Sequence, residues 1–186
     1  MPVHALRLIP AQSQDEAFLQ VLHASTRAEE LRSWGWNEAQ SEAFVAQQFL
    51  AQQMSYRHRF GAGHDQIIHL DGAAVGRLFV APVDNGLCLV DIALLAQYRG
   101  RGIGTQLLRQ VQQTAAARQL PVRLSVLRTN PAQHLYARMG FDRLAQDELC
   151  LELVWSPVSD SAIDTTLAAA QALATPSPTG NCHAMH

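Results

Sequence analysis

A glycine-rich turn at residues 97–105, with the sequence QYRGRGIGT, carries the clearest chemical signal in this chain. The apolar run before it, residues 87–95, predicts a buried strand. The apolar residues after it recur at helical spacing, namely Ile103, Leu107, Leu108, Val111 and Ala115. Such a turn directs several backbone N–H groups at one point, where the helix dipole adds partial positive charge and Arg99 and Arg101 add full charges. The segment therefore predicts a phosphate-binding turn.

The spacing excludes two common phosphate-binding patterns. In the dinucleotide pattern G-x-G-x-x-G, the last glycine would fall on Thr105 or on Leu107. The Walker pattern requires a lysine, and this chain contains none. What remains is Arg99-x-x-Gly102-x-Gly104.

A second segment lies downstream, after a strand-like run at residues 122–127. Residues 130–141 have the sequence NPAQHLYARMGF, in which Asn130 can cap a short helix that has Pro131 at its first position. The two segments together resemble the Q/R-x-x-G-x-G/A and N-P-A-x-x-L-Y-x-x-x-G-F signatures of the GNAT (Gcn5-related) N-acetyltransferases. The resemblance covers residues 87–155 through motifs, and the earlier residues only through the order of their elements.

The rest of the chain predicts an alternating series of strands and helices. Residues 13–16 form a capping box that opens a first helix, and Asn37 with Gln40 opens a second. Residues 57–65 predict a loop, and the Asp71–Gly72 turn predicts a hairpin. The predicted order is β-α-α-β-β-β-α-β-α-β-β, with residues 149–155 as the last strand.

The resemblance implies an α/β domain of the GNAT fold. We expect a mixed, mostly antiparallel sheet of about seven strands that splays between strands 4 and 5, flanked by four helices. We expect the acetyltransferase domain to span residues 1–156. Residues 157–186 lack aromatic residues and an apolar pattern, so they predict a disordered tail.

The same resemblance implies that acetyl-CoA lies in the splay as acyl donor. Backbone N–H groups of Ile92, Ala93 and Leu94 would polarise the thioester carbonyl. The predicted pyrophosphate contacts are Arg99, Gly100, Arg101, Gly102, Ile103, Gly104 and Thr105. Asn130 is predicted both to cap its helix and to contact the donor, although a cap alone is an equally good interpretation.

Two side chains are candidates for proton transfer. In many GNAT enzymes the tyrosine of the matching motif protonates the departing thiolate, so the resemblance implies that role for Tyr136. The alternative is an aromatic residue that only packs between helix and sheet. Asp91 is the carboxylate nearest the predicted cleft and could accept a proton from the amine or anchor it, or could make structural hydrogen bonds. Because side chains alternate along a strand, the Asp91 side chain should face the opposite side of the sheet from those of Val90 and Ile92. A β-bulge could turn it towards the substrate.

Acidic and indole side chains between the first two helices form a candidate acceptor wall. Glu29, Glu30, Trp34 and Trp36 suit a cationic amine, because carboxylates and aromatic faces both attract positive charge. A solvated helix face followed by core tryptophans would give the same pattern.

Composition limits the partners. The net charge is −2 and 16% of the residues are charged, so no basic surface for nucleic acid is indicated. No run approaches the ~20 apolar residues of a membrane span, and the first residues lack the pattern of a signal peptide. The cysteines lack zinc spacing. We therefore expect a cytoplasmic monomer or homodimer without metal, membrane or nucleic-acid partners.

These patterns predict an acetyl-CoA-dependent N-acetyltransferase that acts on a primary amine, favoured as a small molecule, by direct attack on the thioester. A protein N-terminus or a lysine is the alternative acceptor. A catalytically silent sensor or interaction module that binds acyl-CoA is the alternative without catalysis.

Overall fold

The computed structural model describes residues 5–33, 35–61 and 64–157. The strands are β1 Leu6–Pro10, β2 His64–Leu70, β3 Ala73–Val83, β4 Gly86–Leu94, β5 Val122–Leu127, β6 Asp142–Gln146 and β7 Cys150–Trp155. The helices are α1 Glu16–Ser33, α2 Glu38–Phe60, α3 Ile103–Ala116 and α4 Gln133–Arg138, and none of these described helices has the length and apolar character to span a membrane. This is the predicted order of elements. The predicted tail after residue 157 lies outside the described residues.

The seven strands form one sheet in the order β1-β2-β3-β4-β5-β7-β6. All neighbouring strands are antiparallel except β4 and β5, which are parallel. That parallel pairing joins only Leu87 to Val122 and Cys88 to Arg123, and the two strands then separate. The predicted α/β fold, with its splay between the fourth and fifth strands, is confirmed.

A β-bulge interrupts β4 just after the point where the splay begins. Phe79 of β3 pairs with Asp91, whereas the next residue, Val80, pairs with Leu89. Val90 is therefore an extra residue on β4, and it breaks the regular alternation of side chains.

The bulge decides which side chains face each pair of helices. Leu89 packs with α3 in the larger core, whereas Val90 packs with α2 on the opposite face of the sheet. Asp91 then lies on the same face as Val90, beside α1. Ile92 and Leu94 return to the α3/α4 face. Two consecutive side chains thus point towards α1 and α2.

Amphipathic packing fixes α3 across the sheet. Its apolar stripe is buried, namely Ile103, Leu107, Leu108, Val111 and Ala115, as the helical spacing predicts. It covers the β4 and β5 residues of the α3/α4 face, where Leu89, Val122, Leu124 and Val126 are fully buried or nearly so. Because this stripe fixes the helix axis, it also fixes where the N-terminus of α3 lies.

The capping predictions are confirmed in one case and wrong in the other. Asn37 Oδ1 accepts from the Gln40 N–H at 2.9 Å, and Gln40 Oε1 accepts from the Asn37 N–H at 3.2 Å. The earlier box lies one residue before its predicted place, because the Asp15 carboxylate accepts from the Gln12 N–H at 2.8 Å. A short 3-10 turn, Ser13–Asp15, therefore precedes α1.

The prediction of a loop at residues 57–65 is also wrong. Helix α2 continues to Phe60, and β2 begins at His64. Phe60 packs edge-on against Phe79 of β3, with ring centroids 6.0 Å apart, so a contact with the sheet extends the polar end of the helix.

Candidate active site

A cavity of about 600 Å³ opens on the α3/α4 face where β4 and β5 separate. The predicted donor-binding residues that line it are Ile92, Leu94, Arg99, Gly100, Gly102, Ile103, Gly104, Thr105 and Asn130. Tyr136 lines it too, together with four residues that were not predicted, namely Pro131, Ala132, Leu135 and Arg138. The fold therefore brings both sequence motifs to one cleft.

The glycines give the turn before α3 its shape. Gly100 and Gly102 have φ values of +73° and +82°, which side chains with a Cβ atom rarely adopt. The first helical hydrogen bond runs from the Gln106 N–H to the Gly102 carbonyl. The N–H groups of Ile103 and Gly104 therefore have no acceptor within α3 and lie at its positive end. This is the geometry of an anion site.

The two arginines of the turn differ in their contacts. Arg99 lines the cavity, and its Nε donates to the carbonyl of Leu94 at 2.9 Å, which ties the turn to the end of β4. The Arg101 guanidinium lies over the Tyr98 ring, 5.3 Å from its centroid, and Arg101 does not line the cavity. The Arg101 side chain therefore packs on Tyr98, and the predicted pyrophosphate contact of Arg101 stays a prediction.

Backbone groups of β4 also differ from the prediction at one position. The Leu95 N–H donates to the Val75 carbonyl of β3, and hydrogen-bonded pairs alternate along an antiparallel ladder. The Ala93 N–H therefore faces β3, and its side chain packs with α1 and α2. Ala93 is thus not part of the cavity, whereas Ile92 and Leu94 direct their N–H groups towards the open side at β5.

Helix α4 completes the wall of the cavity opposite β4. Asn130 Oδ1 accepts from the Ala132 N–H at 2.8 Å, so its side chain organises the turn before α4. The prediction that Asn130 caps this helix and that Pro131 is its first residue is wrong, because α4 begins at Gln133 and its N-cap is Ala132. Tyr136 is 2% exposed, and its ring packs edge-on against Phe141 with centroids 5.7 Å apart. Burial raises the pKa of the Tyr136 phenol, and the charge of Asp91 raises it further. Tyr136 therefore holds its proton at neutral pH.

Asp91 lies on the other face of β4, in an ionic group that the sequence did not predict. Arg77 of β3 donates from Nε and Nη2 to the two carboxylate oxygens of Asp65, at 2.8 and 2.7 Å. Its Nη1 lies 3.5 Å from Asp91 Oδ2. The Arg77 and Asp91 side chains are 3% and 6% exposed. The bulge in β4 is the feature that brings Asp91 to this guanidinium.

The surroundings of Asp91 raise the pKa of its carboxyl group above the ordinary value of an aspartate. Burial raises its pKa to about 7, although the positive charge of Arg77 and the backbone N–H of Ile92 oppose that effect. The negative charge of Asp65 adds to the rise. Asp91 Oδ1 is buried without a hydrogen-bond partner, beside a cavity of about 10 Å³, close to the volume that one water occupies. Asp91 can therefore take up or release a proton near neutral pH.

Of the predicted acceptor wall only Trp36 is described, and its partly exposed ring packs edge-on against Phe44. The side chains of Glu29 and Glu30, on α1, and the whole of Trp34 lie outside the described residues. Sequence reasoning also missed Arg77 and Asp65. Arg77 is the single charged residue of the largely apolar strand β3, which identifies a candidate but not its partner. Asp65 lies among polar residues at the start of β2 and gives no such signal.

Comparison with known proteins agrees with this geometry. Residues 62–143 match the family model described as an acetyltransferase (GNAT) domain. The matched region contains β4, the glycine-rich turn and the segment from Asn130 to Tyr136, so both sequence motifs fall within it. No curated protein matches the chain.

Several solved structures share the fold. The PaiA N-acetyltransferase from Thermoplasma acidophilum, in complex with coenzyme A, has a TM-score of 0.61 and 15% identity, over 82% of this chain and 99% of that one. An acetyltransferase from Thermus thermophilus has a TM-score of 0.59 and 21% identity, over 84% and 99%. The ribosomal-protein-S18-alanine N-acetyltransferase from Escherichia coli has a TM-score of 0.57 and 14% identity, over 87% and 100%. Residues 62–143 thus match the model of a GNAT acetyltransferase domain, and the fold of the described chain is the one that these acetyltransferases share.

Proposed function

We propose that this chain transfers the acetyl group of acetyl-CoA to the primary amine of a small molecule, by direct attack of the amine on the thioester. The observation that carries the proposal is the cavity at the splay. One wall holds the anion-binding end of α3, a second holds the unpaired stretch of β4, and a third holds a buried tyrosine. Each wall supplies one requirement of acetyl transfer from a thioester.

Backbone N–H groups would bind acetyl-CoA both at its pyrophosphate and at its thioester carbonyl. The N–H groups at the start of α3 would bind the pyrophosphate, since they point together at the positive end of the helix. The N–H groups of Ile92 and Leu94 would stabilise negative charge on the thioester oxygen during attack. The parallel pairing of β4 with β5 ends at Cys88, so these groups are not used in the sheet.

Tyr136 would act as the general acid. It lines the same cavity and keeps its proton at neutral pH, because burial raises its pKa. A thiolate that leaves the acetyl group needs a proton, and the phenol can donate it.

Asp91 would act as the base that prepares the amine. A substrate ammonium must lose a proton before it attacks, and a carboxylate with a pKa of about 7 can accept that proton near neutral pH. Since Asp91 is buried on the α1/α2 face, the proton would pass through a water in the small cavity beside it. The acceptor amine would therefore approach from the α1/α2 side of β4.

A panel assay tests the proposal. The chain is incubated with acetyl-CoA and either small primary amines or peptides with a free N-terminus or lysine, while released CoA thiol and acetylated product are measured. Amine-dependent thiol release with small amines supports the proposal. Release with peptides alone would replace the small molecule by a protein acceptor. Calorimetric binding of acetyl-CoA without release for any amine would indicate a sensor and overturn the catalytic assignment.

A further inference from the structure

The ionic group of Asp65, Arg77 and Asp91 contains two residues that the proposed reaction does not use. Arg77 and Asp91 are buried, and the Asp65 side chain is 21% exposed. Asp65, Arg77 and Asp91 lie on adjacent strands, β2, β3 and β4, and on one face of the sheet. Moving charges into a protein interior is costly, and an interior of well-packed apolar residues is often as stable. Folding alone therefore gives little reason for two carboxylates and one guanidinium at this place.

The group is asymmetric. Asp65 receives two charge-assisted hydrogen bonds in a bidentate arrangement, which is the strongest geometry available to an arginine. Asp91 receives from Arg77 only a 3.5 Å contact, and its Oδ1 atom has no hydrogen-bond partner. Arg77 thus pairs closely with the Asp65 carboxylate and neutralises the charge of the Asp91 carboxylate only in part.

Two aromatic rings hold the guanidinium in this position. The Arg77 Cζ atom lies 5.3 Å from the ring centroid of Tyr56 and 5.5 Å from that of Phe79. Cation–π contacts at these distances are favourable, so the plane of the guanidinium resists a turn towards Asp91.

We infer that Asp65 is a positioning residue for acetyl transfer: by holding Arg77 in a bidentate pair, it keeps the guanidinium off Asp91 and leaves the Asp91 carboxylate basic enough to accept a proton. The inference rests on the proposed function, in which Asp91 is the base. If Arg77 paired closely with Asp91 instead, the carboxylate would stay ionised at lower pH and would be a weaker base.

The other titratable groups around Asp91 do not replace this control. On α1, burial, Arg27 and Arg77 lower the pKa of His23, so His23 is mainly neutral at pH 7. Burial raises the pKa of the Tyr56 phenol on α2 and that of the Tyr136 phenol on α4, so both phenols are uncharged at pH 7. The charges that bear on Asp91 at neutral pH are therefore those of Asp65 and Arg77.

Asp65→Asn tests the inference. The variant removes a negative charge and frees Arg77 to pair with Asp91, and both changes stabilise the ionised form of Asp91. The acid limb of the pH profile of kcat/KM should move to lower pH by about one unit. The rate above the limb should fall severalfold, since the base is weaker. Carbon-13 NMR of the Asp91 carboxyl carbon should show the same displacement without any substrate.

Two controls separate a specific effect from a general one. Glu16→Gln removes an exposed carboxylate that lines the same cavity of about 410 Å³ as Asp65 but does not contact Arg77, and it should leave both profiles unchanged. Asp65→Glu keeps the charge and should keep the limb near its original pH. Arg77 retains a carboxylate neighbour in each variant, so we expect all three to fold, as circular dichroism would verify.

The outcomes also separate this inference from the proposed function. If Asp91→Asn keeps the acid limb of the parent enzyme, Asp91 is not the base and the proposed function fails at that step. If Asp91→Asn abolishes the limb but Asp65→Asn moves neither the limb nor the NMR titration, the positioning role of Asp65 is overturned while the base stands.

Discussion

Gly104 of α3 lies so close to Leu135 of α4 that a Cβ atom at position 104 would stand 3.3 Å from the Leu135 Cδ2 atom. The two helices that line the cleft therefore approach each other closely because residue 104 has no side chain. This contact places the start of α3 beside the segment that carries Asn130 and Tyr136. A side chain at Gly104 would disturb that packing as well as any ligand, so the charge of the anion site is better tested at Gly102.

Comparing Gly102→Asn with Gly102→Asp isolates charge from backbone strain. A Cβ atom at Gly102 meets nothing within 4 Å, and asparagine and aspartate tolerate its positive φ about equally. The carboxylate would face the pyrophosphate, and like charges repel. We expect Gly102→Asp to bind acetyl-CoA at least about tenfold more weakly than Gly102→Asn by calorimetry.

The hairpin turn provides the control for that pair. Gly72 also has a positive φ and open space, but it lies between β2 and β3 and does not line the cavity. Gly72→Asp should bind acetyl-CoA as the parent does. Equal affinities of the two Gly102 variants would contradict the phosphate assignment.

Tyr136→Phe should lower kcat by ~10²-fold while acetyl-CoA affinity changes little. The ring keeps its edge-on contact with Phe141, and only the hydroxyl that would protonate the thiolate is lost. The measurement is steady-state kinetics combined with calorimetry. Tyr98→Phe is the matched control, because Tyr98 stacks with Arg101 and does not line the cavity. An unchanged kcat in Tyr136→Phe would leave Tyr136 with a packing role alone.

Asp91→Asn should change the pH dependence of the reaction. Because the pKa of Asp91 is raised to about 7, the parent enzyme lacks its ionised base at low pH and gains it as the pH rises. The ratio of parent to variant kcat/KM should therefore be near one at pH 5, rise through pH 7 and then level off. A ratio that does not vary with pH would indicate a structural role.

The same substitution should change the pH dependence of folding. Asp91 has a higher pKa in the folded protein than its ordinary value of 3.8, so the folded state binds more protons between these two pH values. The free energy of unfolding of the parent therefore falls as the pH rises from about 4 to about 7. Asp91→Asn lacks this loss, and its stability relative to the parent should increase over that range. Urea titrations at pH 5 and pH 8 measure the difference, and a constant difference would contradict the raised pKa.

The sequence predicts the donor side of the cleft well because the signals there are local. Glycines with positive φ, a polar turn and a helical stripe of apolar residues specify the approach to α3 within about 20 residues. The acceptor side depends on contacts between distant parts of the chain. Arg77 meets Asp65 and Asp91 only after three strands have paired, and residues 57–60 stay helical because Phe60 reaches the sheet. Periodicity carries no information about such pairings.

The bulge at Val90 has a consequence for sequence comparison. Removing Val90 would leave Leu89 and Asp91 as consecutive residues on opposite faces, which is the ordinary pattern of a strand. A one-residue gap at this position would therefore preserve the orientation of every other side chain of β4. A gap placed two or three residues later would instead exchange the acidic position with an apolar one. Alignments of distant homologues should anchor the gap at the bulge before they assign a counterpart to Asp91.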